Sequence, residues 1–508
     1  MGINKSTIAD SFLSNCTLFP NNNAIFINDE FYTYSQVLDR VSAIYLQITQ
    51  QENKFDRIGI YCSDDIHTYA SVLAISLYGA AYVPLNSTFP TQRNHEIIES
   101  TKLELIINCS NQVLKKDFQH LIFITIEQPS LTKDSYYQIE QIIQAVQQPL
   151  AYILFTSGST GVPKGVPVSI ENVNNCFDFF LDKKQFNLNE NDRFIQVFEL
   201  TFDVSVFSFF LPLTIGACCY IVPQKGIRFI EIVKMLIEHK ITVANLVPSV
   251  LQHLEKYIQE IEFPDLKYSF FCGEKLSHQT VSKWSKKIIH AEIINMYGPT
   301  ETTIVCTSYN WNELDSFAEK NDDIVPIGKP FPNMDFVLLN KLNEQITNEE
   351  IGELCFSGKQ VISSYLNNEF EENFIQVRDS GGNEKRYYKT GDLASLNSKG
   401  NLLFHGRVDN QVKINGHRIE LNEIENKIQK ITENNFFLAC FQDEKRITQL
   451  VLFTESETDK FNLRSKLENI LPSYMLPNSI ILIDSIPLTI NSKVDLQKLK
   501  ELYIQNRL

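Results

Sequence analysis

The sequence predicts an α/β fold in its first 300 residues, followed by a small β-rich subdomain and then a separate α+β domain. Three observations predict it. Through the first 300 residues, short β-rich runs alternate with helical patterns: RIGIYC, DIHTYASVLAISLYGA, AYVPL, LELIINC, LIFITI and later RFIEIVKMLIEHK followed by ITVANLV. That rhythm builds parallel sheets covered by helices. From about Ile324 to Gly406 the pattern changes to short strands with turns, DFVLLN, GELCFSG and NLLFHG, and helices become scarce. After GRVDNQVKING a new segment begins, with a helix in LNEIENKIQKI, strands in FLACFQ and QLVLFT, a helix in KFNLRSKLENIL and a last short tail. This is a domain of roughly a hundred residues, a normal size.

Composition bounds the function. At 508 residues the chain is too long for one ordinary domain. With 43% hydrophobic residues it can bury a large core. Its formal charge of −15, from 46 basic against 61 acidic residues, argues against nucleic-acid binding through a broadly basic surface. Any anion must be met locally. The ten cysteines show no C-x-x-C spacing, so reduced thiols in a cytoplasmic protein are expected and a structural zinc site is not. No stretch approaches the roughly 20 apolar residues of a membrane span, and the N-terminus lacks a signal-peptide pattern. MGINKS fits the loose myristoylation pattern M-G-x-x-x-[ST], which is usually a chance match.

The stretch YILFTSGSTGVPKG carries the first chemistry. Its apolar start makes a buried strand, and the hydroxyl and glycine cluster that follows marks an exposed loop. Glycines at 158, 161 and 165 let the backbone approach a ligand, and Thr156, Ser157, Ser159 and Thr160 offer hydroxyls. With free N–H groups and Lys164 as the cation, the loop is a phosphate cradle. It is not the nucleotide P-loop, because Pro163 stands where a glycine should precede the lysine and Gly165 follows it.

Further along come FFCGEKL, NMYGPTETT, GELCFSG, YKTGDLA, GRVDNQVKINGHRIELNEIE, LPSYMLP and PLTINSKVD. With the loop, their order and spacing resemble the adenylate-forming superfamily of amino-acid adenylation domains, acyl-CoA synthetases and luciferases. The resemblance runs from AYVPLN to Lys493. It implies a large core domain over residues 1–406, made of two doubly wound sheets plus the β-rich subdomain at 324–406, and a mobile small domain over 410–508. It also implies two substrates, ATP and a carboxylic acid, with Mg²⁺ as cofactor. Such a carboxylate is already ionised at neutral pH, so joining it to the α-phosphorus needs no general base. The obstacle is repulsion between anions, and catalysis must supply position and positive charge.

By resemblance, Gly158, Gly161, the four hydroxyls and Lys164 close on the β- and γ-phosphates. Tyr297 and Met296 lie along the adenine, framed by Asn295 and the Gly273–Glu274 edge. Thr300 offers a hydroxyl to the α-phosphate, and Glu301 is the metal carboxylate. Asp392 grips the ribose hydroxyls with Arg407 beside it, Lys493 bridges carboxylate and α-phosphate, and Asp409 is the hinge of the small domain. The chain departs from the family pattern at Ser492, where glycine is usual, and at Asn86 and SSYLN, which are expected to lie away from the chemistry.

The acid is expected to be an amino acid. Asp203, in FELTFDVSVF, matches the aspartate with which amino-acid-activating members hold the substrate ammonium, and a carboxylate in an apolar pocket is costly unless it meets a cation. An N-cap aspartate opening the next helix is the competing reading. The same alignment makes Val204, Phe207, Asn245 and Phe270 one part of the pocket wall and Cys272, Met296, Ile304 and Val305 the other. No second buried charge appears among them, so the substrate should be small and uncharged. The whole is most like stand-alone enzymes such as D-alanine:carrier-protein ligase, although Met296 is larger than expected there. The acceptor is then a discrete phosphopantetheinylated carrier protein, since neither a G-G-x-S site nor a condensation motif is present, and the enzyme is expected to act as a monomer. The rivals are an acyl-CoA ligase acting on a non-amino acid, and a binding protein that kept the fold without the chemistry.

Overall fold

The structure is a computed structural model. It describes residues 8–110, 121–126, 150–158, 163–223, 227–255, 257–313, 323–346, 350–378, 383–432, 434–443, 447–455, 460–489 and 494–506. The chain divides into two compact units: one takes Met1–Ser87, Ile98–Phe155 and Gly165–Val408, the other Thr88–Ile97, Thr156–Lys164 and Asp409–Leu508.

In the larger unit, strands Asn23–Ile27, Cys218–Ile221, Arg193–Gln196, Val243–Leu246, Tyr268–Phe271 and Glu292–Tyr297 lie side by side in that order and run parallel. Antiparallel strands Glu30–Thr33 and Thr307–Trp311 flank them, and Lys329–Pro330 completes nine. Every residue of the three strands at 218–221, 243–246 and 268–271 is buried. Sheets covered on both faces need such continuous apolar runs, which is why the sequence shows little alternation there. A second sheet orders Ile122–Thr125, Leu105–Asn108, Arg57–Cys62, Ala81–Asn86, Leu150–Thr156 and Lys164–Ser169. The two sheets and their helices share one apolar core.

A five-stranded antiparallel sheet follows, in which the long strand Glu384–Leu396 pairs with Gly352–Gly358, Phe374–Arg378 and Leu402–Arg407, and Met334–Leu339 lies outside Gly352–Gly358. Gly328 ties this region to the first sheet's edge. Its φ is +84°, and an added Cβ would sit 1.9 Å from the Ser308 carbonyl oxygen.

The smaller unit is built on the hairpin Gln411–Ile414 and His417–Glu420, closed by Asn415-Gly416 with φ values of 51° and 83°. Two positive φ values are what a two-residue type I′ turn demands, and Asn-Gly supplies them at least cost. Helix Leu421–Gln429 and a three-stranded sheet, Phe436–Gln442, Thr448–Thr454 and Ser479–Leu482, complete its core. Where the sequence suggested only a short tail there is a helix, Leu496–Gln505, N-capped by Asp495 and buried through Leu499 and Tyr503. Two buried positions four apart give a weak helical period, so the pattern alone does not reveal it.

Within this unit Arg93 and Glu423 form an ion pair at 2.7 Å with both side chains almost fully buried. Removing one partner of such a pair strands a buried charge, at a cost of about 3–5 kcal/mol.

Gly328→Ala is expected to destabilise the larger unit by about 3 kcal/mol, because the methyl group meets backbone at a positive φ and neither can yield. A thermal melt checks it: a Tm within a degree of wild type would show that the approach relaxes freely.

Candidate active site

Parallel α/β sheets present their ligand sites at the carboxyl ends of the strands. Several of the sequence-selected residues of the larger unit lie at such ends. Cys272 and Gly273 follow strand Tyr268–Phe271, Asn295, Met296 and Tyr297 end strand Glu292–Tyr297, and Thr300 and Glu301 lie in the short 3-10 turn after it.

Three residues chosen for nucleotide binding meet directly. Asp392 and Arg407 stand opposite each other on antiparallel strands, and the Arg407 Nη1 donates to Asp392 Oδ1 at 2.5 Å. The Tyr297 hydroxyl donates to the other carboxylate oxygen, also at 2.5 Å. Burial first, and then the Asp392 charge, push the Tyr297 phenol well above its ordinary pKa, so it remains a neutral donor. Asn295 is buried and donates its amide to the Pro326 carbonyl at 2.9 Å. Glu274 accepts the Ser249 N–H at 2.8 Å, at the first turn of helix Pro248–Leu254, where a carboxylate is favoured by the free N–H groups. Both framing residues are thus fixed by contacts of their own.

Glu301 is completely buried, and the Tyr365 hydroxyl donates to its Oε1 at 2.6 Å. Tyr365 belongs to SSYLN, so this stretch does not lie away from the predicted chemistry: it holds the predicted metal carboxylate. Asn86, the other departure, donates its amide to Glu199 at 2.8 Å. Sequence reasoning also missed Gln360. Its side-chain amide donates to the Val305 carbonyl at 2.7 Å, and its backbone carbonyl accepts the Thr303 hydroxyl at 2.6 Å. The turn needs this clamp, since Thr303 and Ile304 have φ values of 61° and 70°, which β-branched residues rarely adopt. A third missed residue is Lys275, whose ammonium lies 5.1 Å from the Phe404 ring centre, with burial lowering its pKa against the pull of Asp392. Only chain-distant partners reveal these three, and no local signal marks them.

Asp203 precedes helix Val204–Thr214 and is 9% exposed. Its backbone is already helical, at φ −64° and ψ −27°, and its side chain makes no capping hydrogen bond. Capping therefore does not account for this aspartate. Its charge acts on two buried phenols, Tyr82 and Tyr152. Burial raises the pKa of both, Asp203 adds to the rise, and neither hydroxyl has a hydrogen-bond partner. Phe207 lies one helical turn on, and its ring meets Phe270 at 5.5 Å. Asn245 is the register partner of Phe270, and the Cys272 thiol donates to its Oδ1 at 3.5 Å. Val204, Met296, Ile304 and Val305 are all buried.

The loop residues belong to the smaller unit. Ser157 donates its hydroxyl to the Arg418 carbonyl at 2.8 Å and accepts the Glu420 N–H, and the Gly158 N–H points at Glu423 Oε2 at 3.3 Å. The buried Thr156 hydroxyl has no partner, an acceptor-seeking group of the kind a phosphate oxygen satisfies. Lys164 opens strand Lys164–Ser169, and its charge counts among those that act on Glu420. Asp409 begins the last segment of the smaller unit and caps a turn, accepting the Gln411 N–H at 3.1 Å. Ser159, Thr160, Gly161 and Lys493 lie outside the described residues.

Comparison with known proteins bears on this arrangement. A family model described as AMP-binding enzyme matches residues 12–366. The zwittermicin A synthase ZmaJ of Bacillus cereus is 31% identical over 495 residues, covering 94% of this chain and 91% of the relative. Gramicidin S synthase 1 of Brevibacillus brevis is 29% identical over 97% of this chain, which spans only 44% of that synthase. Among solved structures, the Vibrio cholerae adenylation domain AlmE, in complex with glycyl-adenosine-5'-phosphate, matches with a TM-score of 0.83 at 26% identity over 99% of both chains. PA1221, an NRPS protein containing adenylation and PCP domains, shares the fold with a TM-score of 0.82 at 22% identity, over 97% of this chain and 84% of its own. The chain belongs to the AMP-binding enzyme family, the adenylate-forming superfamily.

Proposed function

We propose that the protein activates a small, uncharged α-amino acid as its aminoacyl adenylate, releasing pyrophosphate, and then passes the acyl group to the phosphopantetheine thiol of a separate carrier protein. The observation that carries this reading is Asp203, a nearly buried carboxylate with no capping bond, set among the residues assigned to the substrate pocket. An ammonium group on the substrate gives that charge its reason. An aliphatic or aryl acid brings no cation to that carboxylate, which counts against the acyl-CoA ligase alternative. The likeness to AlmE, solved with glycyl-adenosine-5'-phosphate, supports an amino acid, and the adenylation and PCP domains of PA1221 support a carrier as acceptor.

The substrate carboxylate oxygen attacks the α-phosphorus as the bond to the bridging oxygen of the β-phosphate breaks, and pyrophosphate leaves. No proton moves. Asp203 orients the ammonium, Asp392 with Arg407 orients the ribose, and Tyr297 gives the adenine a face. Lys164, Thr156 and the loop N–H groups take up the charge growing on pyrophosphate, while Thr300 and Lys493 meet the α-phosphate.

Glu301 would hold Mg²⁺. Among the described residues no group of three His, Cys, Asp or Glu side chains gathers to cage a metal. A single buried carboxylate fits a hard cation that takes most of its ligands from phosphates and water. When bound, the ion neutralises phosphate charge.

Asp203→Ala is expected to cost on the order of 3–5 kcal/mol in kcat/KM for the amino acid while leaving ATP binding intact. Amino-acid-dependent ATP–pyrophosphate exchange measures this, and an unchanged kcat/KM would remove the amino-acid assignment.

Lys493→Ala separates the two half-reactions. Adenylate formation should fall by about three orders of magnitude, and transfer from a preformed adenylate should persist, since the lysine serves only the meeting of two anions. Equal losses in both would mark it as structural.

Lys493 must withdraw before a thiol arm reaches the same carbonyl, so the small domain serves two steps in two orientations, with Asp409 as hinge. Proline fixes φ near −65°, and Asp409→Pro should keep exchange but lose carrier loading. Loading at the wild-type rate in a variant shown by its melt to be folded would refute the hinge.

A further inference from the structure

Asn245 is 2% exposed and sits in strand Val243–Leu246, all of whose residues are buried. Residues at the same register in neighbouring parallel strands project to the same face, so Asn245 and Phe270 look the same way. That face is the one on which Phe270 meets Phe207, one turn after Asp203. The side chain thus belongs to the wall assigned to the amino acid's side chain. Phe270 is its register neighbour and fully buried, and the Cys272 thiol donates to Oδ1 over 3.5 Å. The amide nitrogen, with two N–H groups, has no hydrogen-bond partner.

A buried amide left half-satisfied is costly, and nothing in the fold repays it. It caps no helix and closes no turn, for it lies inside a strand where leucine would fill the same volume. Its partner is then expected to arrive with the ligand. We infer that Asn245 selects an α-amino acid with a short hydroxyl-bearing side chain, of the serine or threonine type, an inference that rests on the function proposed above. A weak thiol contact orients the amide poorly, and its nitrogen and oxygen exchange places on a flip. A hydroxyl both donates and accepts, so it satisfies Asn245 either way round, whereas an apolar side chain satisfies it in neither. A side-chain amide, by contrast, must match the Asn245 amide in one fixed orientation, which the thiol contact does not hold. Asp203 takes the ammonium at one end and Asn245 the hydroxyl at the other.

The test is ATP–pyrophosphate exchange on the full chain with two shape-matched pairs, serine against 2-aminobutyrate and threonine against valine. A site built around a hydrogen bond rejects the analogue lacking it, and the hydroxyl member of at least one pair should win by about 10²-fold in kcat/KM. In Asn245→Leu that preference should shrink to about threefold or less, through gain by the apolar member as well as loss by the hydroxyl one. The melt of this variant should not fall, because a half-satisfied buried amide has been removed. Should it fail to fold, Asn245→Ala replaces it, and the wild-type pairs decide independently of either variant. Apolar members equal to or better than their hydroxyl partners, a preference for asparagine or glutamine, or a preference untouched in the folded variant would each overturn the inference while leaving amino-acid activation standing. Exchange with no amino acid at all would overturn the proposed function and this inference with it.

Discussion

A carboxylate with no exposed surface constrains the whole region around it, and Glu301 is such a group. It cannot take water as its partner, so the fold has to bring polar atoms to it. The Tyr365 hydroxyl does so across 64 residues of sequence, and the Ile362 N–H donates to the backbone carbonyl of the same glutamate. Just beyond it the chain passes through two left-handed β-branched residues, Thr303 and Ile304, each worth about 1–3 kcal/mol of strain. Gln360 holds that strain in place with hydrogen bonds on both sides of the kink. The segment from Gln360 to Tyr365 is therefore the brace of the site, and its position depends in turn on the antiparallel sheet that begins beside it. This explains how one acidic side chain can be aimed from a three-residue turn without wandering.

The residues assigned to the nucleotide obey a related constraint. A chain of net charge −15 repels a polyanion at long range, so attraction must be local. Asp392 would add to the repulsion if it stood alone. Arg407 across the strand pair and the Tyr297 phenol both donate to it, which spreads its charge over two hydrogen bonds and leaves its oxygens ordered. An acid so arranged can accept from sugar hydroxyls without projecting a naked charge toward phosphate. The pair is cross-strand and antiparallel, so its geometry is set by the sheet ladder, not by side-chain flexibility.

Much of this arrangement was legible in the sequence because many of the residues assigned to the chemistry sit at or just beyond strand ends. There the backbone needs glycine and the ligand needs hydroxyl, carboxylate or cation, so a short conspicuous string such as YGPTE stands out between apolar runs, whereas KTGD stands out from within the long strand Glu384–Leu396. The buried strands were equally plain, since two-sided burial leaves unbroken β-rich stretches. Tyr365, Gln360 and Lys275 were not legible. Each acts on a group from another element, and neither spacing nor composition encodes a partnership formed only when the strands assemble. Asp203 shows the limit from the other side: its place before a helix suggests a cap, and only its helical backbone and lack of a cap hydrogen bond separate that from a ligand-facing role. The terminal helix was missed because Leu499 and Tyr503 alone bury one face of it.

The residues assigned to choosing the acid and those assigned to pyrophosphate fall in different units of the chain. Asp203, Asn245 and the aromatic wall are packed into the core of the larger unit, on a helix start and on a central strand. Thr156, Ser157, Gly158 and Lys164 are grouped with the smaller unit, where backbone and hydroxyl contacts hold the loop. Rigid packing suits discrimination, because a pocket that cannot relax makes an ill-fitting side chain bear the full cost of an unmatched polar atom. A loop of glycines and hydroxyls suits a leaving group that must be gripped and then released, since its contacts exchange singly and cheaply. On the proposed assignment, selection and turnover rest on different kinds of structure. A substitution in the pocket should then change which acid is accepted and leave the phosphate chemistry common to all of them, and that separation is what allows one adenylating framework to serve different acids.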